Sequence, residues 1–217
     1  MAQQEPASSE LVANLLRYTG CRQQDLAACR GYVRQLTRDL PAFDSIWLDA
    51  LVQKRRLSPF QADCLAKGEA ARLQVGKYQL VSPLMLDRTH RRYLGRNADT
   101  GEQVLIEQHR LSDGLTETKR AALIGLQEKM GRLDEGSGIR NLIDFEFDRG
   151  NLFAIYPYRP GLTVRELLIR RGRFPETLIR VLTPQLLATL NQLAELGVVH
   201  GDLRAANLVL RPDGQID

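Results

Sequence analysis

The segment HGDLRAANLVL, residues 200–210, carries the strongest chemical pattern in this chain. It follows the apolar Gly197-Val198-Val199 and precedes the turn Pro212-Asp213-Gly214. Within it, Asp202 and Asn207 stand five residues apart. A carboxylate can accept a hydroxyl proton, and an amide oxygen can bind a hard cation. The spacing therefore indicates a loop that presents two oxygen-bearing side chains to one cleft.

Upstream of this loop the hydrophobic period changes at Tyr78. From Glu10 to about Gly76 apolar residues recur at helical spacing, and Ser58-Pro59-Phe60-Gln61 reads as a helix start with a capping box. After Tyr78, strand patterns precede a helix over 118–133, two further strands and more helices. This order predicts an α+β fold. The predicted domains are a disordered lead (1–9), a small all-helical module (10–76) and an α+β domain (78–217).

The loop resembles the H-R-D-x-x-x-x-N catalytic loop of protein kinases. The elements before it are similar in order as well: Thr100–Gln108 resembles the strand that carries the V-A-I-K motif, 118–133 the helix after it, and 156–161 the hinge. The resemblance covers residues 78–217. It implies a kinase-like N-lobe, an antiparallel sheet with one helix, followed by the start of a helical C-lobe. The helical leader is similar to that of multidomain eukaryotic-like serine/threonine kinases in bacteria.

The resemblance also implies a role for individual residues. Asp202 and Arg204 occupy catalytic positions of the family, and Asn207 occupies a metal position. The backbone N–H of Arg159 is placed to meet adenine. Leu105 occupies the position of the small residue that admits adenine.

Two departures from the family pattern concern phosphate binding. Glu107 stands where the family has the lysine that pairs with the α- and β-phosphates, and strand alternation puts it on the same face as Leu105. The Gly-rich loop would fall within Leu84–Tyr93, which contains no glycine, so the backbone cannot approach phosphates closely. We expect Glu107 to point into the cleft between lobes and to form a reversed ion pair with Lys119, Arg120 or one of the arginines in 88–92.

Composition narrows the class of protein. The formal charge of +4 on 217 residues, with 6% aromatic residues, does not indicate a nucleic-acid binder. No apolar stretch approaches the length of a membrane helix, and the N-terminus carries no secretory signal. Three scattered cysteines, Cys21, Cys29 and Cys64, suit buried, reduced thiols. These features predict a cytoplasmic protein with neither nucleic-acid nor membrane partners.

Two functions follow from the resemblance. The first is a pseudokinase, a signalling or interaction module for protein partners that has lost phosphotransfer and takes no cofactor. The second is a divergent ATP-dependent serine/threonine kinase, or a small-molecule phosphotransferase such as those with H-G-D in this loop, which uses Asp202, Asn207, ATP and Mg²⁺. The D-F-G segment of the family would follow Asp217, so the chain is expected to be either a fragment or a truncated gene product. The Leu182/Leu186/Leu190/Leu193 face of the last long helix is then expected to be partly bare.

Overall fold

The computed structural model describes residues 6–37, 43–86, 91–111, 114, 116–133 and 137–217. It divides the chain into two compact units. The first holds residues 1–112 and 146–154, and the second holds residues 113–145 and 155–217. Within the described ranges, the helices are all too short or too polar to cross a membrane.

Four helices open the first unit and share a core of their own. Leu15, Cys29, Val33 and Leu51 are completely buried in it because each helix turns one apolar stripe inward. A short 3₁₀ helix at Ala70–Leu73 leads into the sheet. The four helices are α1 (Ser9–Tyr18), α2 (Gln23–Thr37), α3 (Asp44–Gln53) and α4 (Pro59–Ala66).

Helix α1 begins inside the segment predicted as a disordered lead. Residues 1–5 and the predicted break at Leu40-Pro41 lie outside the described residues. Ala7, however, is buried, and the Ser8 hydroxyl accepts from the Leu11 N–H at the N-cap. The Ser8 backbone N–H also donates to Asp44 Oδ1 at 2.9 Å. A capping serine and a carboxylate on α3 thus hold the start of this helix, while the disordered lead over 1–9 stays a prediction.

Helix α4 confirms the predicted capping box and is bonded to the sheet. The Ser58 hydroxyl accepts from the Gln61 N–H at 3.1 Å, and the Gln61 side chain accepts from the Ser58 N–H at 3.2 Å. The same two side chains reach the second strand: Ser58 donates to the Val81 carbonyl, and buried Gln61 donates to the Leu80 carbonyl at 3.0 Å. The predicted boundary between 76 and 78 thus falls inside one compact unit.

The sheet has the strand order β1-β2-β3-β4-β6-β5. Strands β1 to β4 pair antiparallel. Arg149 and Gly150, with φ of 49° and 73°, form the predicted tight turn between β5 and β6, since two-residue hairpins favour positive φ at both positions. The strands are β1 (Gln74–Val75), β2 (Tyr78–Leu86), β3 (Arg91–Asn97), β4 (Gln103–Arg110), β5 (Asp144–Asp148) and β6 (Asn151–Pro157).

The second unit contains three helices and a two-stranded ladder. Strand β7 (Leu162–Thr163) pairs antiparallel with β8 (Val209–Leu210), so the segment after the hinge is fixed beside the end of the chain. Thr163 also caps the next helix in a capping box with Glu166. The helices are α5 (Glu117–Met130), α6 (Val164–Arg171) and α7 (Glu176–Glu195).

Two predictions about helix faces in this unit need correction. On α5, Met130 is buried as the spacing predicts, but Leu126 is exposed, so the predicted inward stripe is incomplete. On α7, Leu182 and Leu193 are buried and Leu186 and Leu190 are half-buried, so the face predicted to be partly bare is covered at Leu182 and Leu193. Ile179 is exposed and lies three residues before Leu182, on the same face of the helix, while the exposed Val181 and Leu187 lie on its other sides.

The three cysteines confirm the prediction of buried thiols. All three lie in the first unit, are buried and form no disulfide. Burial raises the pKa of each thiol, which keeps it protonated and unreactive near neutral pH.

Candidate functional site

The position of Glu107 is fixed by the register of β3 and β4. Arg92 lies directly opposite Glu107, and Leu94 lies opposite Leu105. Residues opposite each other on antiparallel strands share a face, so Leu105 and Glu107 lie on one side of the sheet, as strand alternation predicts. Tyr93 lies on the other side, where its ring packs against Phe60 of α4 at 5.8 Å between centroids. Glu107 is therefore on the face away from the N-terminal helices.

Glu107 forms an ion pair with Arg92. Arg92 Nε lies 2.7 Å from Glu107 Oε1, and the two side chains are only 16% and 18% exposed. His109 Nε2 lies 3.7 Å from the second carboxylate oxygen. Arg92 belongs to the predicted group of partners, so the reversed ion pair is confirmed for this residue. That Glu107 points into a cleft stays a prediction.

The segment expected to hold a phosphate loop begins at the end of one strand and finishes at the start of another. Strand β2 continues to Leu86, and β3 begins at Arg91. Residues 87–90, including Arg88, lie outside the described residues. Leu84 and Leu86 are exposed, at 48% and 60%. The described part of this segment is thus strand backbone with bulky side chains.

In the second unit, the predicted catalytic and metal residues lie together. The Asn207 side-chain amide donates to the Asp202 carbonyl at 2.9 Å and to Asp202 Oδ2 at 2.8 Å. Arg204 Nη2 lies 3.2 Å from the same carboxylate oxygen. The Asp202 side chain remains 56% exposed. The three side chains therefore hold one another in an accessible loop.

The backbone explains the glycine in this loop. Gly201 has φ of 73°, a left-handed conformation that side-chain-bearing residues rarely adopt. The Asp202 N–H donates to His200 Nδ1 at 3.3 Å across this turn. On the far side of the loop, the Arg165 N–H donates to the Ala205 carbonyl at 2.9 Å. Gly201, where the kinase motif has arginine, thus fits the turn that presents Asp202.

The hinge segment contributes a contact that the sequence analysis missed. Arg159 Nη1 lies 3.1 Å from Asp217 Oδ1, and the Asp217 side chain is completely buried. Arg211 Nε approaches the same oxygen at 3.6 Å. Both backbone groups of Asp217 bond to Val209. The hinge side chain is therefore tied to the segment that follows β8, while the expected role of the Arg159 N–H stays a prediction.

Comparison with known proteins gives relatives of one kind. Human serine/threonine-protein kinase LATS1 is 28% identical over 123 residues, 57% of this chain and 11% of that protein. Mitogen-activated protein kinase kinase kinase A of Dictyostelium discoideum is 29% identical over 125 residues, 56% of this chain and 13% of the relative. Serine/threonine-protein kinase BCK1/SLK1/SSP31 of Saccharomyces cerevisiae is 31% identical over 127 residues, 56% of this chain and 8% of the relative. The chain contains a protein-kinase-like domain.

This relationship has a limited extent. The matched segments span about 8–20% of the length of the curated relatives. No family model matches the chain. The relationship therefore supports the kinase-like domain, and the activity of the whole relatives is not carried over with it.

The residues at the family's phosphate and metal positions contact neighbouring side chains. Glu107 brings a carboxylate to the position of the phosphate-binding lysine, and Arg92 is already bonded to it. Asn207 directs its amide nitrogen at Asp202. Within the described ranges there is no group of three or more histidine, cysteine, aspartate or glutamate residues that could hold a metal ion.

Proposed function

We propose that the kinase-like domain is a pseudokinase, a signalling or interaction module for protein partners in which phosphoryl transfer has been lost. The observation that carries this proposal is the Arg92–Glu107 ion pair. Catalysis of phosphoryl transfer consists almost entirely of positioning and of neutralising phosphate charge. A domain that has exchanged its phosphate-binding cation for a neutral ion pair lacks one of those two requirements.

The size of the loss follows from Coulomb's law. A lysine about 4 Å from a phosphate charge gains about 4 kcal/mol at an effective dielectric constant of about 20. The Arg92–Glu107 pair has no net charge, so it supplies little of this attraction. A loss of about 4 kcal/mol corresponds to roughly a thousandfold weaker binding. This change alone would move a micromolar nucleotide affinity into the millimolar range.

One observation favours the alternative, a divergent ATP-dependent kinase or small-molecule phosphotransferase. Asp202 and Asn207 are both present, and the Asp202 carboxylate is exposed and held in place by Arg204. An accessible, oriented carboxylate is what a general base requires. In that case Asp202 would accept the proton of the substrate hydroxyl, and Asn207 would hold the metal.

Thermal unfolding with ATP and Mg²⁺ distinguishes the two functions. A ligand at a hundred times its Kd stabilises a protein by about 2.7 kcal/mol, and each kcal/mol moves the Tm of a chain of this length by about 2–4 °C. For the pseudokinase we expect a shift below about 2 °C at millimolar ATP and Mg²⁺, and the same result for Asp202→Ala. Mg²⁺ alone is the reference.

The matched control for the metal position is Asn191→Ala, which removes the same side chain from the exposed surface of α7. A larger shift that requires Mg²⁺, is lost in Asn207→Ala and persists in Asn191→Ala would refute the pseudokinase proposal and establish the alternative.

A further inference from the structure

The first unit encloses a cavity that has no part in the proposed function. Its volume is about 240 Å³. It lies on the face of the sheet that carries Tyr93, opposite the face of Glu107. Its lining comes from α4, the 3₁₀ helix, all six strands of the sheet and the β5–β6 turn, and every lining residue belongs to the first unit.

The inner wall of this cavity is apolar and rigid. Val75, Leu80, Tyr93 and Phe153 line it and are all buried. Phe60 completes the wall, and its ring packs against the Tyr93 ring. Side chains from a helix and four strands hold one another in place here, so the wall is preformed. A preformed apolar wall suits a flat hydrocarbon group.

Three arginines surround the opening. Arg72 comes from the 3₁₀ helix, Arg91 from the first position of β3, and Arg149 from the β5–β6 turn. Two of them are already engaged: Arg72 pairs with Glu69, while Arg149 pairs with Asp148 at 3.1 Å and donates to the Ala71 carbonyl at 2.8 Å.

Arg91 differs from the other two. Among the residues that the structure describes, none forms a hydrogen bond or ion pair with its guanidinium group. Counted over the residues that the structure describes, the opening therefore holds one positive charge in excess of its local carboxylates. Guanidinium groups bind carboxylate and phosphate through paired hydrogen bonds, so this excess charge selects an anion.

A polar pair next to Arg91 adds a second donor. Gln108 lies opposite Arg91 in the ladder and lines the cavity. The Tyr93 hydroxyl donates to Gln108 Oε1 at 3.3 Å, which fixes the orientation of the amide. With its oxygen directed at Tyr93, Gln108 has its amide nitrogen left to donate to a ligand.

We propose that this cavity binds a small organic anion, an apolar ring that carries one phosphate or carboxylate group. The ring would lie against Tyr93 and Phe60, and the anionic group would meet Arg91 and the Gln108 amide. The volume is suitable, because a cavity of about 150 Å³ already holds benzene and the remainder admits the anionic group. The proposal is independent of whether the domain transfers phosphate.

Calorimetric titration of the full chain with phenyl phosphate tests the proposal. We expect saturable binding to one site, at least about tenfold tighter than that of inorganic phosphate or of benzyl alcohol, because each of these offers half of the recognised chemistry. Amide chemical shifts of Tyr93 and Gln108 should change during the titration. The aromatic phosphate could belong to a free small molecule or to a phosphotyrosine side chain of a protein. A phosphotyrosine peptide that binds as tightly as phenyl phosphate assigns the ligand to a protein, and weaker binding of the peptide assigns the ligand to a free small molecule.

Arg91→Gln should weaken phenyl phosphate binding by about tenfold, the loss of one charge-assisted hydrogen bond. Arg30→Gln is the matched control, since it removes the same charge from the exposed surface of α2. Both positions are exposed, and unchanged circular dichroism verifies the fold. The proposal would be overturned if the two variants bound phenyl phosphate equally tightly, or if the titration did not saturate. It would also be overturned if inorganic phosphate or benzyl alcohol bound as tightly as phenyl phosphate.

Discussion

The Arg92–Glu107 pair should make a measurable contribution to the stability of the first unit. Breaking a fully buried ion pair costs about 3–5 kcal/mol, and an exposed pair contributes about 0–1 kcal/mol. At 16% and 18% exposure this pair lies between those limits. We therefore expect Glu107→Gln and Arg92→Gln each to lower the free energy of unfolding by about 2 kcal/mol. The double variant should cost about 1–2 kcal/mol less than the sum of the two, because the second change removes an orphaned charge.

Urea unfolding followed by tryptophan fluorescence measures the stability of the first unit, which contains the ion pair. The chain has one tryptophan, Trp47, which is 3% exposed in the core of the first unit. The control is Asp63→Asn, which breaks the solvent-exposed pair with Lys67 and should lower the free energy of unfolding far less than either substitution in the Arg92–Glu107 pair. Additivity of the Arg92 and Glu107 substitutions within about 0.5 kcal/mol would refute the assigned coupling.

Three further predictions concern packing and caps. Gly95→Ala should destabilise the first unit by about 1–3 kcal/mol in urea unfolding, because the added methyl would overlap the buried Ile106 side chain. Ser58→Ala should cost about 1–2 kcal/mol in the same assay, since one hydroxyl caps α4 and bonds to β2. Hydrogen bonds from Thr163 lower the pKa of Glu166, so their contribution is full above the ordinary value of 4.5 and is lost as pH falls below it. Thr163→Ala should flatten this acid dependence, measured by circular dichroism between neutral pH and acid; an unchanged slope would contradict it.

The features that the sequence predicts correctly are local. The capping box of α4 depends on four consecutive residues, and the β5–β6 turn depends on Arg149-Gly150. Strand alternation is equally local, which is why the shared face of Leu105 and Glu107 could be stated in advance. The Arg92 partner was predicted only as one of a group, because the register that places it opposite Glu107 is a property of two strands.

The features that the sequence analysis missed depend on distant partners. Arg159 and Asp217 are 58 residues apart, so the sequence does not show that they form a pair. The one available signal is that Asp217 directly follows the apolar Ile216. The exposure of Leu126 could not be read from a helical stripe, because spacing shows which residues share a face and not whether another element covers that face. The cavity beside Arg91 likewise exists only where α4 and the sheet meet.

The hydrogen bonds from α4 to β2 limit where the chain can be divided when this domain is joined to another protein. A recombination that kept only residues 78–217 would leave the Leu80 and Val81 carbonyls without their donors and would uncover the Tyr93 ring. The helices and the sheet must therefore be inherited as one piece. A chimera that contains this domain should be joined upstream of Ala7. A junction near Gly76 would separate the Ser58 and Gln61 side chains from the strand carbonyls to which they donate.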